Sequence, residues 1–441
     1  MTQTVPVTVE RDTSMAKKAA ISALVGSTVE YYDFTLFATA SALIFGPVFF
    51  APLGDVGGLL ASFGTFGVAY VARPLGAMFF GSLGDKVGRR NTLLYVLSLM
   101  GAATFLIGLL PGYATIGICA PILLVLLRLG QGLSAGGEQA GANSLSLEHA
   151  PDGKRGLYAS WTMQGTSLGT LLGSVAFILI TSMPKDLLMD WGWRVPFLLA
   201  GPLMLIAFWI RKQVAETAAF VETKAEPARE AQVPVAEVFR HHLPSLLRVM
   251  GCSLLAVSGS AINVYGLAYA TKVVGIPANV YLVAGIAIGV IGLIVQPLWA
   301  KLSDRVGRRP VFAGSMLATA LLFFLLFPAL ATNNVLLWGS VMILMAVAST
   351  GANAVGASFY TELFPTRVRY TGAALGTQLG FIMAGFAPAI MTGIQGQGRE
   401  GWLPVAAFAA ACMLVAALSA WSAKETAKTD LHNLGEKPAV V

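Results

Sequence analysis

GSLGDKVGRR, residues 81–90, and AKLSDRVGRR, residues 300–309, are two versions of one ten-residue stretch. Asp85 and Asp304 stand 219 positions apart in a chain of 441. Each copy closes one long apolar run and opens another. A soluble protein has little use for a repeated basic, glycine-containing turn between apolar runs. A membrane protein built from two similar halves does, because each half needs the same tight hairpin on the same side.

Composition points the same way. Hydrophobic residues make up 56% of the chain and charged residues 12%, which lies outside the soluble globular range. A membrane-spanning helix needs about 20 mostly apolar residues. Twelve such runs are predicted, near 20–48, 57–81, 92–110, 118–146, 157–181, 194–210, 246–271, 279–300, 311–330, 335–360, 371–394 and 402–422, and are numbered here as predicted helices 1 to 12. The first is too long for a signal-peptide core and no convincing cleavage site follows it, so it is read as a helix. Other landmarks recur. EHAPDGKRG (148–156) is echoed by ELFPTRVRYTG (362–372), with Glu148/Glu362, Pro151/Pro365 and Arg155/Arg369 each 214 apart, and Trp193 and Trp402 are 209 apart. The expected fold is therefore all-α and integral to the membrane, with twelve transmembrane helices as two six-helix bundles. The halves are 1–210 and 246–441, the latter with a short tail, joined by a polar linker at 211–245.

The net charge of +7 raises the question of nucleic acid, and its distribution answers it. With both termini inside, the outer connections hold four basic residues, Lys185, Arg194, Lys272 and Arg399, and the runs themselves hold Arg73 and Arg128. The rest of the 29 Lys and Arg fall on the inner side. That is the positive-inside pattern, placing both termini in the cytoplasm. Cys119, Cys252 and Cys412 lie in apolar runs and read as small buried residues. No histidine falls in a run, so proton chemistry within the membrane must use carboxylates. No nucleophile–base pair, metal cluster or phosphate loop appears. An enzyme is not expected, and neither is a metal or a cofactor other than the proton as coupling ion.

Five ionisable residues lie well inside the runs, all in the first half: Glu30, Asp33, Arg73, Arg128 and Glu138. A charge at mid-bilayer costs about 2.5–3.5 kcal/mol on insertion scales, so five in one half need a reason. One reading is structural ion pairing; the other is a proton and substrate site. Glu30 and Asp33 share one helix face at i and i+3. Two close carboxylates in a low dielectric cannot both ionise cheaply, which suits a site that loads and unloads a proton. Asp33, Glu30 and Glu138 are the proton-coupling candidates. From helical rise, Glu30, Arg73 and Glu138 lie about 12–15 Å from the inner ends of their helices, at matching depth. Arg128 and Arg73 are the substrate-binding candidates, since a guanidinium grips a carboxylate bidentately, with Tyr32 and Gln131 beside them. Gly132, Gly136, Gly137 and Ala140 permit close helix approach near Arg128. The second half offers neutral groups, of which Asn263, Tyr265 and Asn353 are the candidates. Predicted helices 3, 6, 9 and 12 carry no interior charge.

Twelve helices as six plus six, with the repeated loop after helices 2 and 8, resemble the major facilitator superfamily. VEYYDF (29–34), ARPLGAMFFGSLGDKVGRR (72–90), RLGQGLSAGGEQAGA (128–142), GWRVPFLL (192–199) and ELFPTRVRYTG (362–372) resemble the metabolite:proton symporter family within it, the group of shikimate, α-ketoglutarate, citrate and proline/betaine carriers. One departure is Gln139 after Glu138, where many members have Trp or Tyr. The resemblance implies a proton-coupled symporter in the bacterial cytoplasmic membrane that imports a small organic acid, such as a shikimate-like or other mono- or dicarboxylate, by alternating access. A zwitterionic osmolyte of the proline/betaine type is the alternative. A proton-driven exporter fits less well, because helix 5 has Gly165, Gly169 and Gly173 but no proline. The implied partners are the substrate, the proton and the lipid bilayer; a monomer is expected, and no nucleic acid. Helices 1, 4, 7 and 10 would line the cavity. The repeated loops would form a conformational latch of Asp85, Arg89 and Arg90 in one copy and Asp304, Arg308 and Arg309 in the other.

Overall fold

The computed structural model describes residues 13–149, 155–213, 234–365 and 368–427. Its long helices are α1 (Thr13–Leu43), α2 (Gly54–Val87), α3 (Arg89–Leu109), α4 (Cys119–His149), α5 (Arg155–Thr181) and α6 (Arg194–Lys212) in the first half. The second half has α7 (Leu243–Val274), α8 (Ala278–Val306), α9 (Arg308–Ala331), α10 (Val335–Glu362), α11 (Arg369–Ile394) and α12 (Leu403–Ser422). A short helix, Pro234–His241, leads into α7. No strand occurs among the described residues.

Eleven of these helices are long and apolar enough to cross a membrane among the described residues. The exception is α1, long enough at 31 residues but carrying Glu30 and Asp33 in its middle. A helix satisfies most of its backbone polar groups internally, which is why a chain in lipid adopts it. α7 is irregular: two π-helical stretches, Ala261–Gly266 and Tyr269–Val274, interrupt it, and such stretches mark places where a helix is built to bend.

Small residues set the packing of the first half. A Cβ at Gly132 or Gly136 on α4 would lie 2.2 Å from Ala69 O or 2.0 Å from Arg73 O on α2. On α5, Gly165 and Gly169 stand equally close to Leu24 O and Thr28 O of α1. Backbones in lipid approach this closely only where side chains are absent, and dispersion then replaces the missing hydrophobic drive. The α4 glycines are those the sequence singles out. The two halves meet through α2 on α11, α5 on α8 and α1 on α7. Both repeated loops turn on a glycine with positive φ, Gly88 at 96° and Gly307 at 115°, a conformation that a side chain disfavours. The end of the molecule bearing these turns is called the loop end below, and the opposite end the far end.

Candidate functional site

The six-helix first half is organised around buried ion pairs. Glu30 of α1 pairs with Arg73 of α2 at 3.2 Å. Asp33, one turn further along α1, faces Arg128 of α4 at 3.7 Å. All four are at most 3% exposed. Phe34 separates the two pairs: its ring lies 4.1 Å from the Arg73 guanidinium carbon and 4.7 Å from that of Arg128. Arg128 also lies 3.9 Å over Phe37, and Arg73 4.8 Å over Tyr70. A desolvated cation on a ring face gains on the order of 2 kcal/mol, so Phe34 of VEYYDF, with Phe37 and Tyr70, helps to offset the cost of burying two arginines.

Asp33 is held unevenly. Its Oδ1 accepts from Thr104 Oγ1 of α3 at 2.5 Å and from Gln131 Nε2 of α4. Gln131 in turn accepts from Arg128 Nη1 at 3.0 Å, so the glutamine bridges acid and base. Asp33 Oδ2 has no hydrogen-bond donor among the described residues, and Arg128 Nε and Nη2 have no acceptor. A carboxylate with one fully satisfied oxygen and one facing only a distant guanidinium is placed to change protonation state. A guanidinium with two uncommitted N–H groups is placed to take another acceptor. Thr104 is a member of this set that the sequence reading missed, since a threonine on an apolar helix carries no signal of its own.

The third carboxylate differs. Glu138 of α4 accepts both arms of Arg211 of α6, at 2.8 and 2.6 Å. Arg211 is 1% exposed. The sequence boundary assigns it to the linker and leaves helix 6 without interior charge. The structure corrects both points: α6 runs through Lys212, and Arg211 turns back into the bundle from its last turn. The buried set is therefore three carboxylates and three arginines, and it is electrically balanced when all are ionised.

The remaining candidates are scattered. Tyr32 is buried in the first-half core and its hydroxyl donates to Pro196 O of α6 at 2.8 Å. Tyr265 is equally buried, stacked on Tyr269, and donates to Gln395 at the far end. Tyr269 donates to Arg399 O at 2.5 Å, and Arg399 donates to Val274 O at 2.6 Å. The two tyrosines thus moor the α11–α12 connection on the irregular part of α7. Asn263 and Asn353 are exposed, and Asn353 donates to Ser349 O of its own helix. Among the described residues, no hydrogen bond joins either asparagine to the charged set.

At the loop end, the side chains of Asp85 and Arg89 lie outside the described residues. The second arginine of each repeat acts alike in both halves: Arg90 Nη2 donates to Lys212 O at the end of α6, at 2.5 Å, and Arg309 Nη2 donates to Trp421 O at the end of α12. Arg308 pairs with Asp304 at 2.7 Å and lies 3.8 Å from Glu362 of α10. An unpredicted residue completes this copy. Glu425, just past α12, caps the start of α9, accepting from Arg308 N at 2.8 Å and Arg309 N at 3.1 Å. Burial pushes the Glu425 carboxyl up, but backbone donors at Arg308, Ala427, Arg309 and Thr426 outweigh it and hold it below its ordinary 4.5. A carboxyl held low in the folded state stabilises above its ordinary range, and that contribution fades as the pH falls through it. Glu425→Gln is expected to cost about 1 kcal/mol at neutral pH, typical of a lost helix cap. The loss shrinks below about pH 4.5, which thermal unfolding of both proteins across pH checks. The sequence signal was available: Glu-Thr-Ala follows the last helix of each half, at 216–218 and 425–427, with the same 209-residue offset as Trp193 and Trp402. Residues 216–218 lie outside the described residues.

A family model described as Major Facilitator Superfamily matches residues 23–388 and 288–438. The chain is 36% identical over 421 residues to the "Shikimate transporter" of Escherichia coli (strain K12), covering 94% of this chain and 95% of that one. It is 34% identical over 444 residues to the "Glycine betaine/proline/ectoine/pipecolic acid transporter OusA" of Dickeya dadantii (strain 3937), covering 97% and 87%. Among solved structures, the partially occluded inward-open xylose transporter XylE from E. coli matches with a TM-score of 0.76 at 20% identity, covering 95% of this chain and all of that one; at that identity the likeness concerns the fold.

Proposed function

The chain belongs to the Major Facilitator Superfamily and is a multi-pass membrane transporter, not an enzyme; from that premise we propose that it is a proton-coupled importer of a small organic anion. Asp33 and Arg128 form its coupling pair, and the loop end faces the cytoplasm. The observation that carries this reading is the uneven hold on Asp33. The proton resides on Oδ2, the oxygen without a donor, while Oδ1 keeps its bonds to Thr104 and Gln131. Once Asp33 is neutral, Arg128 loses its counter-charge and its free N–H groups become the natural anchor for a substrate carboxylate.

Charge balance supports an anion over a zwitterion. With three carboxylates and three arginines paired, one added proton leaves the buried set with one excess positive charge. A monocarboxylate cancels it; a zwitterion does not. The relative named as a shikimate transporter supports a carboxylate substrate. The relative named for glycine betaine and proline supports the second reading, a zwitterionic osmolyte bound through its carboxylate alone. Glu30 with Arg73, the same motif one turn closer to the loop end, is the second proton station, and Asn263 and Asn353 are the exposed polar groups through which the second half contributes.

Proteoliposome uptake of shikimate, other hydroxy and keto acids, and betaines tests the reading. Uptake of one of the acids rises when the outside is acidified and collapses with a protonophore. Uptake indifferent to both rules out symport, and uptake confined to betaines selects the zwitterion.

A further inference from the structure

Arg211 has five N–H donors in a rigid fork, and the structure uses the whole fork. Nη1 donates to Glu138 Oε2 at 2.8 Å and to Leu93 O of α3 at 3.2 Å. Nη2 donates to Glu138 Oε1 at 2.6 Å and to Ser22 O of α1 at 3.3 Å. Nε reaches Ser22 Oγ at 3.4 Å. One side chain therefore ties α1, α3, α4 and α6 at a single level near the loop end. Both partners are 1% exposed, and neither leaves a buried polar atom without a partner. This is the opposite of Asp33 and Arg128, each of which keeps unpartnered atoms.

Two further observations mark the pair as built in. Gly26 of α1 makes room for it: a Cβ there would lie 1.9 Å from Arg211 Nη2 and 2.3 Å from Glu138 Oε1. The pair is also absent from the other half. The repeat offsets of 214 and 209 set Ala352 and Ala420 opposite Glu138 and Arg211, so the second half closes without charge. The half that holds the titrating groups is the half that carries the fastening.

We propose that Glu138 and Arg211 are a permanent bolt, a pair of positioning residues that stays joined through the transport cycle. It holds α1 against α3, α4 and α6, so that Glu30 and Asp33 meet their arginines in register. Glu138 then carries no proton, in contrast to its place among the proton-coupling carboxylates in the sequence reading. The physical warrant is the cost of opening: separating a buried, fully bonded bidentate pair leaves two charges without partners in a region that lipid surrounds. Glu30 sits one turn beyond Gly26 and is faced by Arg73 and Tyr70 from α2, Glu138 from α4, Arg211 from α6, and Asp33 and Tyr31 of its own helix. The bolt thus shares a neighbourhood with the groups it positions. This inference rests on the transport reading above.

A double-mutant cycle decides it. Glu138→Leu and Arg211→Met each strand one buried charge and are expected to lower the melting temperature of the purified full-length protein by roughly 5 °C or more. The double variant removes both charges and returns to within about 2 °C of the parent, because apolar replacement of a whole buried pair is often neutral. A double variant as unstable as the worse single, or a Glu138→Leu protein as stable as the parent, overturns the bolt, whatever the protein carries. The second arm uses shikimate as the probe. Counterflow, which needs no proton gradient, falls about tenfold in each single variant, as for a transporter whose site is misassembled by more than 1 kcal/mol. In the double variant counterflow and proton-driven accumulation return together. Counterflow restored without accumulation makes Glu138 a proton carrier and overturns the proposal. Gly26→Ala keeps both charges but takes their space, and it shifts the pH midpoint of uptake as well as lowering the rate, a change that lost stability alone does not produce. A parent protein that moves no shikimate sinks that choice of substrate, while the stability cycle still decides the bolt.

Discussion

Asp33→Asn is expected to abolish proton-driven accumulation and to leave exchange in place. Asparagine copies the shape of a protonated aspartate. It keeps an oxygen for Thr104 and Gln131, the partners of Oδ1, and it sets a neutral group toward Arg128 where Oδ2 stands at 3.7 Å. The side chain is therefore fixed in its loaded form and cannot release a proton on the inner side. A pH step of one unit stores about 1.4 kcal/mol per proton, so one coupled proton supports about tenfold accumulation, and the variant should show none. Counterflow, which requires binding and the rocking motion but no net proton movement, should persist within a few-fold. The matching neutralisation, Glu30→Gln, provides a comparison. Arg73 bonds Glu30 directly at 3.2 Å and the amide keeps an oxygen for that bond, so the result expected of a second proton station is weakened accumulation with exchange retained. An Asp33→Asn protein that still accumulates substrate against a gradient removes Asp33 from the coupling pair.

Gly136→Ala is expected to be nearly as damaging, through packing alone. The added methyl would lie 2.0 Å from the carbonyl oxygen of Arg73 and 2.8 Å from the amide of Ala77. Ordinary contact begins near 3.4 Å, and both neighbours are helix backbone that cannot rotate away. α2 and α4 must therefore separate by more than an ångström. Overpacking of this kind costs typically 1–3 kcal/mol, and here the residue that moves is Arg73, the partner of Glu30. The measurements are folded yield and melting temperature, both reduced, and uptake, reduced more than tenfold at equal protein, since misplacing a site group by about an ångström costs on the order of a hundredfold. Gly130→Ala on the same helix is the control. Its Cβ would meet only Leu99 Cδ1, at 3.9 Å, and it should leave yield and uptake unchanged. Equal damage from both substitutions would mean that the lost backbone freedom of glycine, not the α2–α4 contact, is responsible.

Much of this protein is legible without coordinates, for identifiable reasons. Lipid imposes a length and an apolarity on each span, so hydropathy finds the helices; only α1 escapes a strict criterion among the described residues, because Glu30 and Asp33 dilute its apolar run. The duplicated loop marks its own glycines, since a positive φ leaves few alternatives at Gly88 and Gly307. Gly132 and Gly136 are legible because close backbone approach has no other residue to use. Glu30, Asp33, Arg73 and Arg128 stand out because charge in lipid is costly, and the structure does bring them together in two pairs.

Arg211 was not legible. It ends an apolar run beside Lys212, where the positive-inside pattern makes any basic residue an interfacial one. Only the packing of α6 against α1, α3 and α4 shows that its side chain turns inward. Thr104 shares that difficulty, and although Gln131 and Tyr265 stand out as candidates their partners do not: a neutral polar side chain on a helix gives no sign of a partner that lies elsewhere in the fold. Glu425 looked like part of a polar tail because a cap is a relation between a side chain and a helix start more than a hundred residues away.

The sequence by itself determined the twelve spans, the six-plus-six duplication and the restriction of buried charge to the first half, because each follows from what lipid permits along a single segment. The tertiary structure alone decided which charge meets which. A carboxylate's role depends on how many of its oxygens are satisfied and by whom, and those partners come from helices far apart in the chain. That is why Asp33, with one bare oxygen, and Glu138, clamped by a fork from α6, read alike as carboxylates in apolar runs and differ in the fold.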